Sequence, residues 1–213
     1  MSSFGRTGSR DLRGLRGKRN FVTITNLFIK RAHGRTMDAV SRLEFGPQGV
    51  AGGVRCSPLR QVLITSRAVT AQCGLQPGDL RETVEVDFDG LYDLPSGTVV
   101  KIGDALIRLT FHCEPCKKIL HLTKFDQIVH KRGFLGCFLN SGTIALGDPV
   151  SVTGEQLESI PYAVKDRVRW FFAKQNASLA ALDLAHALGL PSSYARAIPR
   201  LVESFAMPRR WPK

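Results

Sequence analysis

The sequence predicts a mainly β protein, an antiparallel barrel or sandwich with short helices, followed by three helices. Three observations carry this. Short β-branched and aromatic runs recur at close spacing, turn signals separate them, and the hydrophobic period changes from that of strands to that of helices after Gly154.

The elements follow in order. "FVTITNLFIK" from Phe21 opens the β region, and "AVSRLEF", "RQVLIT", "VEVDF", "TVVKI" and "ALIRLTF" are further strands. Between them stand the turn signals "GPQG", "GLQPGD", "LPSG" and "IGD". "SRAVTAQCG" reads as a short helix closed by Gly74, and "TKFDQIVHK" as another. "GFLGCFLNSG" and "TIALGDPVSV" complete the strands. In "ESIPYAVKDRVRWFFAKQ", Ile160, Ala163, Val164, Val168, Phe171 and Phe172 share one helical face, with Pro161 in the first turn. A second helix ends at Gly189. Tyr194, Ile198, Leu201, Val202 and Phe205 then repeat the helical spacing. Pro199 either kinks that helix or divides it near Ile198. The expected organisation is a tail at 1–20, a β domain at 21–154 and a helical segment at 159–206.

The formal charge is +12, from 30 Lys and Arg against 18 Asp and Glu. Residues 1–35 hold nine basic residues and one acid, Asp11, so +8 lies in that short stretch. Arg6, Arg10, Arg13, Arg16, Lys18 and Arg19 sit among Gly and Ser with little to bury, the composition of a solvated tail. The same composition suits an organellar presequence or an arm that orders on RNA phosphates. No apolar run is long enough to span a membrane, and no secretory segment follows Met1. Five cysteines without an export signal point to free thiols in a reducing intracellular compartment, cytoplasmic or mitochondrial.

"RLTFHCEPCKKIL" at 108–120 is the chemically pointed stretch. Its C-x-x-C has no second pair to complete a zinc site, and no βαβ context for a thioredoxin-like dithiol. Two readings remain: Cys113 and Cys116 are small core residues, or Cys116 is a reactive thiol at a strand end. Lys117 and Lys118 favour a thiolate there, and Pro115 can start a helix whose N-terminus would add to that.

With this stretch the sequence resembles the MOSC domain family, named after the C-terminal domain of molybdenum-cofactor sulfurases. The resemblance covers residues 22–153. It runs through "ITNLFIKRAHGRTMDAV", "GPQGVAGGVRCSPLRQVLI", "GLQPGDLRETV", "LPSGTVVKIGDALIRLTFHCEPC" and "HKRGFLGCFLNSGTIALGDPV". It implies a MOSC-type β-barrel of the short single-domain type, with the helices as an extension. It implies a sulfur carrier holding sulfur as a persulfide on Cys116, supplied by a pyridoxal-phosphate cysteine desulfurase. Cys113 would resolve the persulfide or stand by. Arg132 and Gly133 would belong to the facing loop, and Arg81 and Glu82 to a segment at the same rim. The family also implies molybdenum cofactor, as ligand or as the centre of an oxidoreductase subunit. Two positions depart from it. "GGVRCSP" stands where many members have Gly-Asp followed by His, and Thr83 follows Glu82 where they have asparagine. Both remove polar groups that would hold a ligand. They admit an alternative, a worn MOSC fold serving as a structural component of a ribonucleoprotein such as an organellar ribosome.

"ALDLAHALGLPSSYARAIPRLV" has helix-turn-helix spacing and faintly resembles the helical segment of alkylguanine-DNA methyltransferases. That family's catalytic Pro-Cys-His-Arg is absent here. The plain expectation is a helical cap on the barrel; the sharper one presents Arg196 and Arg200 outward to nucleic acid.

Overall fold

The computed structural model describes residues 22–175 and 179–204. Eleven strands lie among them: β1 Ile24–Ile29, β2 Asp38–Val40, β3 Arg42–Gly46, β4 Gly49–Val50, β5 Val62–Ser66, β6 Val84–Val86, β7 Thr98–Ile102, β8 Ala105–His112, β9 Phe134–Phe138, β10 Gly142–Ala145 and β11 Val150–Gln156. Eight form one curled sheet in the order β11-β7-β8-β9-β5-β6-β1-β2, and β10-β3-β4 form a second. A bridge between Thr23 and Pro149 ties the start of β1 to the start of β11 across the curl. The resulting half-barrel encloses Ile24, Leu27, Ile64, Val84, Val86, Ile102, Ile107 and Leu109, all buried. The mainly β expectation is met.

Three details differ from the sequence reading. "AVSRLEF" is two strands, β2 and β3, parted at Ser41, and "TIALGDPVSV" is β10 and β11, parted by the turn at Gly147. The β region does not stop at Gly154. There β11 bulges, with Gly154 at φ +82°, and resumes pairing at Gln156 with Thr98. Not every pair is antiparallel either. β5 and β6 run parallel, in register from Ile64–Val84 to Ser66–Val86. The crossover that a parallel pair needs is supplied by helix α1, Arg67–Gln72, and the loop after it. Gly74 closes α1 as expected. It sits at φ +66°, and Leu75 N–H reaches back to Thr70 O at 3.1 Å.

Helix α2 is a single turn, Phe125–Ile128. The C-terminal segment holds α3 Val164–Lys174, α4 Ala181–Ala187, a 3-10 turn at Ser192–Arg196, and α5 Ile198–Glu203. Pro161 precedes α3 instead of sitting in its first turn, so its carbonyl is left free to accept from Arg167. Pro199 falls in the first turn of α5, where a missing N–H costs nothing. The chain therefore breaks at Ala197 and does not kink.

The helices bury a core of their own, with Val168, Phe171, Leu184, Leu188, Ile198 and Val202. A separate seam joins them to the barrel. Ile160 and Tyr162 pack with Leu63, Phe111, Cys113 and Leu135, and Trp170 of α3 lies against the same cluster. The seam sits where β8 ends, beside the C-x-x-C stretch.

Candidate functional site

β8 delivers the chain to Cys113, whose N–H bonds to Gly133 O at 2.8 Å. Gly133 opens β9 at φ +141°, and a Cβ there would stand 2.6 Å from Leu63 Cδ1 and 2.8 Å from Ile64 O. No side chain fits, so glycine lets the chain entering β9 lie against β5 while its carbonyl holds the Cys113 N–H. Gly133 thus positions the cysteine loop from behind and does not line the cavity.

That cavity, of about 660 Å³, opens between the barrel rim and the C-terminal helices. Cys56, Cys113 and Cys116 all line it, and all are free thiols. Cys113 is 2% exposed; Cys116 is half-buried and packs beside Cys73 on Leu75, Leu80, Ile119 and Ile128. Desolvation pushes the Cys113 thiol above its ordinary range, opposed by the charges of Arg132 and Arg60. Cys56 is also raised by desolvation, opposed by Lys30 and Arg60.

The walls are cationic. Lys30, Arg60, Arg81, Lys117, Lys118 and Arg132 line the cavity against one carboxylate, Glu114. Lys30 is held below the usual lysine range by desolvation first, then by repulsion from Arg81 and Lys118. Repulsion among neighbouring cations is the electrostatic mark of a site shaped for an anion. The lone carboxylate cannot balance them, because its oxygens are already taken. Glu114 Oε2 accepts from Arg60 Nη1 at 2.9 Å, and Oε1 from Arg167 Nη2 at 3.2 Å. Arg132, 6% exposed, donates from Nη1 to the Glu114 carbonyl at 2.6 Å.

Arg167 is the least expected of these residues. It lies on α3 with no exposed surface. Beyond Glu114 it donates to Pro161 O at 3.0 Å, Tyr162 O at 2.6 Å and Leu188 O at 3.0 Å. Its guanidinium also stacks 3.5 Å from the centre of the Phe111 ring. Arg60 completes the clamp, reaching Gly189 O at 3.0 Å and Cys113 Sγ at 3.6 Å. Glu114, two residues before Cys116, is thus tied to the helices by a buried cation whose three nitrogens all donate hydrogen bonds. The helices also supply cavity wall through Val164, His186, Leu190, Pro191 and Tyr194.

The structure gathers Cys113, Cys116, Lys117, Lys118, Arg81 and Arg132 around one cavity, as the sequence reading expects. Two expectations are corrected. Glu82 is not at the rim: Arg81 and Thr83 line the cavity, while Glu82 between them is buried on the other side. It accepts from Gly78 N–H at 2.5 Å, and desolvation raises its carboxyl to about 7. No helix begins at Pro115 either. The N–H groups of Ile119 and Leu120 both bond to Cys116 O, and a chain of turns follows until α2. Cys116 therefore has no helix N-terminus beside it. Arg196 and Arg200 are exposed, but on different elements, the 3-10 turn and α5, so they do not share one helix face. The basic residues Arg6, Arg10, Arg13, Arg16, Lys18 and Arg19 lie outside the described residues, as do Phe21 and Phe205. Among the described residues no three His, Cys, Asp or Glu side chains group to hold a metal ion. No helix there is long and apolar enough to cross a membrane.

Sequence reasoning missed Arg60, Arg167 and Cys56. One signal for Arg167 was present: it falls three residues after Val164 and four before Phe171, inside the apolar stripe of α3. A charge in that position must be buried with a partner.

No family model and no curated protein matches this sequence. Solved structures do. The YuaD protein of Bacillus subtilis is similar over 61% of this chain and 94% of its own, at 16% identity and a TM-score of 0.51. A structure titled as a hypothetical protein is similar over 89% of this chain and 93% of its own, at 15% identity and 0.55. YiiM of Escherichia coli is similar over 89% of this chain and 98% of its own, at 17% identity and 0.50. At such identities the likeness shows the fold alone, which is MOSC-like.

Proposed function

We propose that the protein is a sulfur carrier that holds sulfane sulfur as a persulfide on Cys116. One observation carries the reading: a cavity lined by three free thiols and six cations, whose one carboxylate is already bonded through both oxygens to arginines. A persulfide anion is a soft, singly charged group. Lys117 and Lys118, next to Cys116 and on the cavity wall, offer it counter-charge without hydrogen-bonding it into a fixed shape. The half-buried position of Cys116 lets a donor reach the thiol in a cavity whose wall the helices share. Cys113 is placed differently. It is buried, its thiol is pushed above the ordinary range by desolvation, and Arg60 holds it, which suits packing beside the carrier more than attack. In this reading the donor is a cysteine desulfurase that uses pyridoxal phosphate.

Molybdenum cofactor suits the cavity less well. Its charge would be matched, but a pterin edge needs free amide or carboxylate groups, and those on the wall are engaged. Gln61 donates to Pro47 O at 2.6 Å and accepts from Phe138 N–H at 2.8 Å. Glu114 is held through both oxygens by Arg60 and Arg167. The test is intact-mass analysis after incubation with a desulfurase and cysteine. Gain of one sulfur mass, lost in Cys116→Ser, supports the reading, and no gain on the wild-type protein from either the desulfurase or glutathione persulfide ends it.

A further inference from the structure

Eight large hydrophobic side chains are well exposed among the described residues, and three of them, Leu120, Leu122 and Phe125, lie within six residues of chain. The other five, Leu139, Leu146, Val152, Leu182 and Tyr194, each lie on a different element or loop. The dense stretch starts where the chain leaves the cavity wall at Lys118. It is anchored: Ile119, Thr123 and Ile128 are buried, Ile119 and Ile128 in the cluster on which Cys116 packs. The N–H groups of Leu122 and Thr123 both bond back to Ile119 O. The apolar side chains are thus held outward by an ordered turn. Around them Lys117, Lys118, Lys124 and Lys131 are exposed, with Asp126 the one acid between 117 and 131.

An apolar centre with a rim of one sign is the anatomy of a protein–protein contact. A small sulfur donor needs only the cavity. A lipid surface could accept the same side chains but presents no sulfur to the thiol. The continuity of this face with the Cys116 loop favours an occupant that reaches the thiol itself.

We propose that residues 117–131 are the docking face for the protein that delivers sulfur to Cys116. Resting on the sulfur-carrier reading, this gives the partner a chemistry: a persulfide-bearing cysteine on an extended segment, flanked by an apolar patch with acidic residues around it. In the step, the Cys116 thiolate, its proton already lost to water, attacks the outer sulfur of the donor's persulfide. A sulfur–sulfur bond forms at Cys116 and the donor's breaks. The donor cysteine leaves with the bonding electron pair as a thiolate and takes a proton from water. No external oxidant or reductant is consumed.

The test compares two donors on the full-length protein: a purified pyridoxal-phosphate cysteine desulfurase charged with radiolabelled cysteine, and glutathione persulfide. The variants are Leu120→Ser/Leu122→Ser/Phe125→Ser and the milder Phe125→Ser, with far-UV circular dichroism to confirm the fold. The expected result is a loss of about tenfold or more in the rate from the desulfurase for the triple variant, the scale of losing one or two interface anchors. Loading from glutathione persulfide stays at the wild-type rate. Equal loading of variant and wild type by the desulfurase overturns the docking face. So does equal slowing with both donors, which would place the effect on the thiol. Wild-type protein that accepts sulfur from glutathione persulfide but not from the desulfurase also overturns it, with the carrier reading intact. If neither donor loads wild-type Cys116, the carrier reading itself has failed and the docking face falls with it. Anionic phosphatidylserine vesicles that bind wild type but not the triple variant, with desulfurase transfer unchanged, would reassign the face to a membrane surface.

Discussion

Replacing Arg167 by methionine keeps most of the aliphatic volume against Phe111 and removes every donor. Three carbonyls, of Pro161, Tyr162 and Leu188, lose a partner, and Glu114 keeps only Arg60. Removing one member of a buried ion pair costs about 3–5 kcal/mol. Glu114 retains a cation, which argues for the lower end, and the orphaned carbonyls, at about 1 kcal/mol each, move it back up. We expect a loss of about 4 kcal/mol. For a chain of this length that lowers the melting temperature by about 8–16 °C. Urea unfolding followed by tryptophan fluorescence measures it, since Trp170 lies on α3 beside the seam. Glu114→Gln and the double variant complete a cycle, and the coupling between the two sites should be about 1–3 kcal/mol. If Arg167→Met stays within about 1 kcal/mol of wild type, or if the two changes simply add, the clamp contributes nothing and the apolar seam alone holds the helices.

Three further outcomes follow from the geometry. Glu82 is raised from 4.5 to about 7, so the folded state binds the proton more tightly and its ionisation costs about 3 kcal/mol of stability. That cost is absent below the unfolded value and grows as pH rises from 4.5 to about 7. Glu82→Gln should therefore gain on wild type between pH 5 and pH 8 in chemical unfolding, and a constant difference across that window would refute the buried ionisation. Iodoacetamide near neutral pH, read by peptide mass, should modify Cys116 well before Cys113, because Cys113 is buried and its thiol is pushed up by desolvation. The reverse order would move the reactive site. Gly133→Ala should destabilise by about 2–4 kcal/mol, since its Cβ meets both a side chain and the Ile64 carbonyl at a φ that L residues avoid. A thermal melt matching wild type would show that the chain entering β9 passes β5 with room to spare.

The strands were legible because burial on a sheet selects β-branched runs, and "TVVKI" and "ALIRLTF" fall on β7 and β8 with little shift. The parallel β5–β6 pair was not, because α1 is too short to announce a crossover by its periodicity. The cysteine loop was visible in the ordered motifs around Cys116. The clamp was not, since Glu114 meets Arg60 across 54 positions of sequence and Arg167 across 53, and no local pattern encodes such a meeting. The expected helix after Pro115 failed for a local reason. Proline permits a helix start, but Ile119 and Leu120 share the Cys116 carbonyl as acceptor and the turn never propagates. Glu82 was misplaced because its neighbours Arg81 and Thr83 do reach the cavity, and the chain bends there, with Arg81 in the left-handed region at φ +63°, which no local pattern announced.

The most direct measurement on the central claim is the intact mass of wild-type, Cys116→Ser and Cys113→Ser proteins after exposure to glutathione persulfide, with the modified peptide identified. The account predicts one added sulfur on wild type and on Cys113→Ser, located at Cys116, and none on Cys116→Ser. A persulfide that survives Cys116→Ser, or that appears on Cys56 or Cys113 instead, would contradict it.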